Sequence, residues 1–338
     1  MFIAKFKNLK NYCMKATARA HSNIAFVKYW GRKDEILRLP TNGSISMNLS
    51  NLFSTTTVEF SPALPEDDIT INNIKDKTVN DKVSKHLDRI RTLSKVNSFA
   101  KVVSHNSFAA SAGMASSASG FAALTLAGIT SAGSKLSEKE VSILARQGSG
   151  SACRSIPNGF VEWLDGDTSN ESYAKSIFNE SYWAICDIVT IISKEKKDVA
   201  TSVGQQRVDS SIFFQTRLEN IKTKIEQCHK LIEMKDFENF GKLIEMEALE
   251  LHSIMLTSWP SLIYLEPESL IVMKLVHQLR AEGILVYFTI DAGPNIHVIC
   301  LQKDSDLINK KLLNLSGVKE TIINMPSKGT YLVEESLF

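Results

Sequence analysis

Residues 111–120 read "SAGMASSASG", a junction of four Ser, three Ala, two Gly and one Met with no charge. Before it, "FAKVVSHNSF" (99–108) has the pattern of a strand. After it, "FAALTLAGI" (121–129) has the pattern of a helix. The first turn of a helix carries unpaired N–H groups and a partial positive charge, so it can hold an anion. Small residues let a phosphate reach the backbone, and glycine allows the turn that aims the N–H groups. Gly113, Met114, Ala115, Ser116 and Ser117 fit that design, with two hydroxyls as further donors. The common phosphate loop GxxxxGK[ST] needs a lysine, and none is present here. A close helix–strand packing contact explains the same composition, and ten residues alone leave both readings open.

Outward from this junction, the chain of 338 residues is long enough for about two domains, and 43% hydrophobic residues supply a core. A net charge of +2 gives no general pull toward nucleic acid or membrane surfaces. A local basic patch would still suffice for a small anionic substrate. The five cysteines (Cys13, Cys153, Cys186, Cys228 and Cys300) form no CxxC pair, which argues against structural zinc or a disulfide framework and for a reducing cytoplasm. No apolar run approaches the ~20 residues of a membrane span. Residues 1–14 read as an N-terminal extension, with Met14 an alternative start.

Strands are expected at 15–27, 54–60, 68–73 and 99–104, and helices at 79–95, from the small-residue junction to about 130, and from Ser137 to about Gly148. Ser137 is placed to cap the last of these. A second unit opens with "WAICDIVTIIS" (183–193), an apolar strand. Helical patterns follow at 207–233, 236–256 and 267–282, then strands at 284–290 and 296–301, another helix, and a last strand near 330–333. Without strict βαβ alternation the class is α+β in two subdomains, 15–181 and 182–338.

Three further stretches carry chemistry. "KYWGRKD" (28–34) sets Lys28, Arg32 and Lys33 beside Tyr29, Trp30 and Gly31, a phosphate-binding inventory or else a basic loop with a buried Trp. "GSGSACRS" (148–155) frees the backbone at two glycines and adds Ser149, Ser151 and the fork of Arg154. "DAGPN" (291–295) puts Asp291 at the end of the apolar strand "ILVYFTI", where a carboxylate is partly desolvated, though a turn-stabilising Asp would look the same. The seven histidines show no metal spacing, and His252 and His277 read as packing or surface residues. Cations, hydroxyls, backbone donors and one carboxylate suit phosphoryl transfer, where catalysis is mostly positioning and charge stabilisation.

Together "NIAFVKYWGRKD" (23–34), "SAGMASSASGFAAL" (111–124), "GSGSACRS" and "DAGPN" resemble, in the same order, the diphosphomevalonate decarboxylase family of the GHMP kinase superfamily. The likeness runs from about residue 15 to the end. It implies an N-terminal domain like ribosomal protein S5 domain 2, a ferredoxin-like C-terminal domain, and a site in the cleft between them. It implies that ATP phosphorylates the 3-hydroxyl of mevalonate 5-diphosphate, and that loss of this phosphate drives decarboxylation to isopentenyl diphosphate. ATP and Mg²⁺ are the implied cofactors, with metal ligands unassigned, and a cytoplasmic homodimer is the implied state.

By the same resemblance Asp291, Arg154 and Lys28 are catalytic. Asp291 orients or deprotonates the hydroxyl and Arg154 holds the substrate carboxylate. Tyr29, Trp30, Gly31, Arg32, Ser149, Gly150, Ser151, Ala152, Cys153 and Arg154 bind substrate. Gly113, Met114, Ala115, Ser116 and Ser117 receive the ATP phosphates, with Ser117 reaching phosphate and Mg²⁺. Ser202, in "TSVGQ" (201–205), matches a substrate loop.

Departures stand at Arg32, where the family usually has Lys, in "FAASAG" (108–113) and in "TSVGQ". They keep a mevalonate 5-phosphate decarboxylase and a mevalonate 3-kinase as alternatives. A non-catalytic sensing relative would be expected to have lost Asp291 or Arg154, and both are present.

Overall fold

β1 (Ala16–Val27) runs through the middle of the first sheet and delivers the chain to Lys28. A small hairpin, β2 (Arg32–Asp34) and β3 (Leu39–Pro40), turns it back into β4 (Ser44–Ser61). β5 (Asp68–Ile71), α1 (Lys77–Ser94), β6 (Phe99–Asn106), α2 (Ser116–Ser131) and α3 (Glu138–Gly148) follow. A 3-10 turn over Gly150–Ser155 leads to β7 (Phe160–Trp163) and β8 (Ala174–Phe178). These ranges come from a computed structural model that describes residues 15–108, 116–195 and 198–338.

The helix ends follow local chemistry. Asp76 caps α1 by accepting from the Val79 N–H, and Ser137 with Glu140 forms the capping box expected for α3. α2 is different. Ala118, Ser119, Ala122, Ala123, Ala127 and Gly128 are all buried, so it has no solvent stripe comparable to those of α1 and α3. Its small side chains let it lie against β1, β4, α1 and α3 at once. At Gly128 a Cβ would come within 2.7 Å of Ile90 Cδ1. Close packing is therefore one true reading of the small-residue stretch beyond Ser117.

Among the described residues the first sheet has the order β13 (Tyr331–Val333), β1, β4, β6, β5, with β7 on the other half of β4 and β8 beyond it. β4 pairs with β1 along nearly its whole length, with β6 over Ser54–Ser61 and with β7 over Ser44–Met47. Only 54–60 of β4 was expected from sequence. In its first half Ile45, Met47 and Leu49 enter the core while Ser44, Ser46 and Asn48 are buried on the other face. A buried polar face looks like loop in sequence, which is why this half reads poorly. The short β7, β8 and a later strand over Glu320–Asn324 were also not expected.

The second half contains β9 (Ile185–Ile191), the one-turn α4 (Thr201–Gly204), α5 (Phe214–Met234), α6 (Phe237–Thr257) and α7 (Pro267–Ala281). It continues with β10 (Val286–Ile290), β11 (Ile296–Leu301), α8 (Ser305–Leu313) and β12 (Glu320–Asn324). The helix expected from 207 starts at Phe214, because Gln205–Ser210 winds as a 3-10 turn. The second sheet is antiparallel, β10-β11-β9-β12. β13 (Tyr331–Val333) then pairs with β1, so the chain ends in the first sheet rather than the second.

One face of the second sheet packs under α7 and α8 through Val272, Val276, Ile308 and Leu312. The other shares a core with α6 and with the first half: Ile24, Phe26, Ile45 and Met47 join Phe237, Phe240, Ile244, Val189 and Ile299. The rings of Phe26 and Phe240 meet edge to face at 4.9 Å. The two halves thus hold one continuous apolar core, and the end of β1 is carried onto α6.

His86 on α1 is fully buried, bonded to Thr125 Oγ1 at 2.8 Å, and burial lowers its pKa to about 3. In the unfolded chain a histidine titrates near 6.5. The unfolded state therefore gains a proton as pH falls below that value while the folded state does not, and stability declines. Urea unfolding should show this residue's share as a loss of about 1 kcal/mol between about pH 7 and about pH 5.5. His86→Gln should flatten the pH slope by that amount, and an unaltered slope would contradict a neutral buried imidazole.

Candidate active site

Lys28 leaves β1 with its side chain 2% exposed, and its Nζ lies 2.8 Å from Asp291 Oδ1. Asp291 sits just beyond β10, in the turn to β11, and its side chain keeps 31% of its surface open. The two motifs are 263 residues apart in sequence and meet across the two halves of the fold. Burial pushes the Asp291 carboxyl up, but the positive charges of Lys28 and Arg154 help to outweigh it, leaving the group below its usual range and ionised. Burial lowers the Lys28 ammonium, with Asp291 and Glu247 opposing. His252 on α6 contacts the Asp291 carbonyl oxygen at 3.2 Å, and burial drops its pKa to about 4, so it is neutral.

Arg154 comes from the 3-10 turn after α3 and is 4% exposed. Its Nε donates to Asn23 Oδ1 and its Nη1 to Ser44 Oγ, both at 3.0 Å, and its guanidinium lies over the Trp163 ring. Asn23 is fixed in turn by donating to Ser155 Oγ at 2.8 Å. It lies beside a bulge in the β1–β4 register, where a strand re-aims its side chains. These holders are neutral, and no described carboxylate stands within ion-pair distance of Arg154. A buried guanidinium held only by neutral acceptors is preorganised to receive an anion.

Around this pair the "KYWGRKD" and "GSGSACRS" stretches interlock. The Tyr29 ring packs against Trp163 at a 60° tilt, with 4.6 Å between ring centroids, and its hydroxyl accepts a hydrogen bond from Arg32 Nε at 2.8 Å. A Cβ on Gly150 would come within 2.9 Å of the Tyr29 ring, so glycine is required there. Gly31 has φ +101°, a backbone region that disfavours other residues. Arg32 also pairs with Glu35 at 2.6 Å. Ser149 Oγ lies 3.2 Å from Ser117 Oγ at the start of α2, so the stretch after α3 meets the small-residue helix start. Ser116 begins α2, and Ser151 is half-buried on the 3-10 turn.

Three of the expected site residues are buried in the core. Trp30 is 1% exposed and packs among Val208, Phe214, Leu251 and Leu262, which matches the buried-Trp reading of its loop. Ala152 and Cys153 are fully buried, and the Cys153 thiol, pushed up to about 12 by burial, is unreactive. Ser202 is half-buried on α4, whose Gly204 packs against Trp30. Gly113, Met114 and Ala115 lie outside the described residues, as does the N-terminal extension. Sequence reasoning missed Asn23, Ser44, Glu247 and His252. Asn23 stands in the quoted "NIAFVKYWGRKD" stretch, so its neighbourhood was a signal; the others lie in ordinary strand or helix patterns.

The pattern of the diphosphomevalonate decarboxylase-like N-terminal domain matches residues 20–174, and that of the mevalonate 5-diphosphate decarboxylase C-terminal domain matches residues 187–333. The chain belongs to the diphosphomevalonate decarboxylase family. The diphosphomevalonate decarboxylase of Aspergillus fumigatus is 36% identical, over 87% of this chain and 78% of its own. The human one is 34% identical, over 84% of this chain and 76% of its own. Among solved structures, mevalonate diphosphate decarboxylase from Staphylococcus aureus is 37% identical with a TM-score of 0.90, covering 95% of this chain and 98% of that one. A 38% identical structure, described as a complex with MVAPP, AMPPCP and magnesium, has a TM-score of 0.89 and covers 95% and 99%. The fold is thus the α+β GHMP kinase fold expected from the motifs.

For this family member, Asn23→Ala should leave the buried Arg154 Nε without its acceptor. We expect a loss of about 2 kcal/mol in kcat/KM, roughly thirtyfold, together with a lower Tm from the buried groups left unpaired. Steady-state kinetics beside a melting curve test this, and full activity would show that Asn23 does not orient the guanidinium.

Proposed function

We propose that Asp291, Lys28 and Arg154 carry the family's reaction in this chain. The reaction is the ATP-dependent decarboxylation of mevalonate 5-diphosphate to isopentenyl diphosphate, with release of ADP, phosphate and CO₂. The single observation behind the assignment of roles is the buried constellation itself: an ionised Asp291 held by Lys28, with an anion-seeking Arg154 near enough to act on its charge.

Asp291 accepts the proton of the substrate 3-hydroxyl as that oxygen bonds to the γ-phosphorus of ATP and the bond to ADP breaks. A carboxylate below its usual pKa is a weak base, and the loose transition state of phosphoryl transfer asks for little more. Its first task is to hold the hydroxyl in line. Asp291 then passes that proton to an oxygen of the transferred phosphoryl group, so that when the carbon–oxygen bond breaks, phosphate leaves and positive charge develops near C3, the carboxylate is restored and stabilises it. The electron pair of the breaking bond to the carboxyl carbon forms the new double bond, and CO₂ departs. Arg154 holds the substrate carboxylate until then, its planar fork matching the two oxygens.

Ser117 and Ser149 offer neighbouring hydroxyls to the phosphates of ATP. Mg²⁺ bound with those phosphates would supply charge neutralisation, and the Ser117 hydroxyl would help to hold it. Tyr29, Gly31, Arg32, Gly150, Ser151 and Ser202 complete the substrate side.

We assign the functional units as 15–181 and 182–338, with β13 returned to the first. Four free, buried cysteines support a cytoplasmic setting. No helix among the described residues is long and apolar enough to cross a membrane. Family resemblance supports a homodimer, and the exposed Ile212, Phe213 and Trp259 offer apolar surface for it.

Asp291→Asn keeps the shape and removes the charge. We expect kcat to fall at least about a thousandfold, some 4 kcal/mol, with the direct binding constant for substrate little changed. Activity within tenfold of the parent would remove Asp291 from the chemistry. Arg154→Lys keeps the charge but loses the fork, and kcat/KM should drop by about 2–3 kcal/mol. Release of CO₂ and ADP, measured side by side with the mono- and diphosphate substrates, should favour the diphosphate. ADP release without CO₂ would convert the reading to a kinase.

A further inference from the structure

Lys28 is gripped at three points, and only its contact with Asp291 belongs to the site described so far. Its backbone N–H donates to Glu247 Oε1 at 3.0 Å, and its carbonyl oxygen accepts from Arg217 Nη2 at 3.0 Å. Asn42 Nδ2 donates to the same carbonyl at 2.9 Å. Glu247 and Arg217 are bonded to each other at 2.5 Å, and both side chains are fully buried. Arg217 lies on α5 and Glu247 on α6, so two helices of the second half hold the main chain of a residue from the first.

The cluster continues outward. Arg217 Nη1 donates to Glu250 at 2.8 Å, and Lys224 Nζ donates to Glu247 Oε2 at 3.2 Å and also to Glu250. An ion pair placed this deep is costly to desolvate and is a poor way to gain stability. Its position, one backbone bond from Lys28, suggests another use.

We propose that Glu247 and Arg217 are positioning residues for the reaction: they lock the main chain of Lys28 so that its Nζ meets Asp291, and Glu247 supplies the second negative charge that keeps this buried ammonium protonated. This rests on the proposed roles of Lys28 and Asp291. The charged and titratable groups facing Lys28 are Asp291 from the β10–β11 turn, Glu247 and His252 from α6, Arg217 from α5 and Arg154 from the 3-10 turn. Two anions oppose two guanidinium groups and a neutral imidazole, so removing either anion tips the balance against the ammonium. Desolvation already draws the Lys28 ammonium below the ordinary lysine range, which makes its charge sensitive to Glu247.

E247Q keeps an oxygen for the Lys28 N–H and removes the charge. In the full-length enzyme we expect kcat to fall tenfold or more at neutral pH, with substrate KM within about threefold. The basic limb of the kcat/KM profile should move to lower pH by about one unit. The titration of Lys28, followed by the ¹³C signal of its Cε with K28R as the assignment control, should move the same way. R217Q/E247Q removes one charge of each sign and should return the titration toward that of the parent. E247D keeps the charge but shortens the reach, and should lower kcat while leaving the titration near its original midpoint.

A merely structural Glu247 would lower the yield of folded enzyme or its Tm without moving either pH curve. An unmoved Lys28 titration in folded E247Q, or in the event that it does not fold, an E247D enzyme with unchanged kcat, overturns the proposal. A titration that moves while the kcat/KM profile stays put leaves the electrostatic role of Glu247 standing and instead counts against the catalytic role of Lys28.

Discussion

The buried contact between Lys28 and Asp291 is the constraint on which the site depends. Each residue ends a strand in a different sheet, so the pair forms only when the two halves are docked in one register. Taking an ammonium and a carboxylate out of water costs several kcal/mol per ion unless geometry and further hydrogen bonds compensate. The compensation here is specific. Lys28 is held at its nitrogen, its carbonyl and its side chain, and Asp291 keeps part of its surface open. The apolar core shared by β1, β4, α6 and the second sheet makes this docking rigid.

A second theme is the use of neutral groups to hold charged ones. Arg154 is seated by an amide and a hydroxyl rather than by a carboxylate, so its charge is available to an incoming anion. The polar face of β1 and β4 extends this design. Ser22 and Ser54 both meet Ser119 of α2, at 3.1 and 2.7 Å, and Ser54 donates to Asn106. These hydroxyls satisfy one another inside the fold, which lets a polar layer lie between α2 and the strands. Small side chains serve two ends in α2: its first turn stays open beside Ser149, and its later turns pack closely against strands and helices.

Much of this was legible in the sequence. Capping chemistry announced α3, apolar runs announced β9 to β11, and four motifs announced the family and the residues Lys28, Arg154 and Asp291. These signals are local: a cap, an alternation or a motif is complete within about ten residues. What reads poorly is any element whose pattern is set by distant neighbours. The first half of β4 alternates apolar and polar residues that are all buried, because a polar layer covers one face. β13 is too short to announce its partner, and only the closed fold shows that it joins β1.

By itself, then, the sequence determined the α+β class and the identity of the charged groups, which follow from residue types and short-range spacing, and through the resemblance of four motifs it pointed to the family. The tertiary structure decided which of them touch. It moved Trp30, Ala152 and Cys153 into the core and brought Asn23, Ser44 and His252 to the site. It also set Glu247 and Arg217 on the backbone of Lys28. The physical reason is that burial and charge pairing depend on what lies across the space between elements. For residues 28, 154, 217, 247 and 291, that space is closed only when both halves share one core.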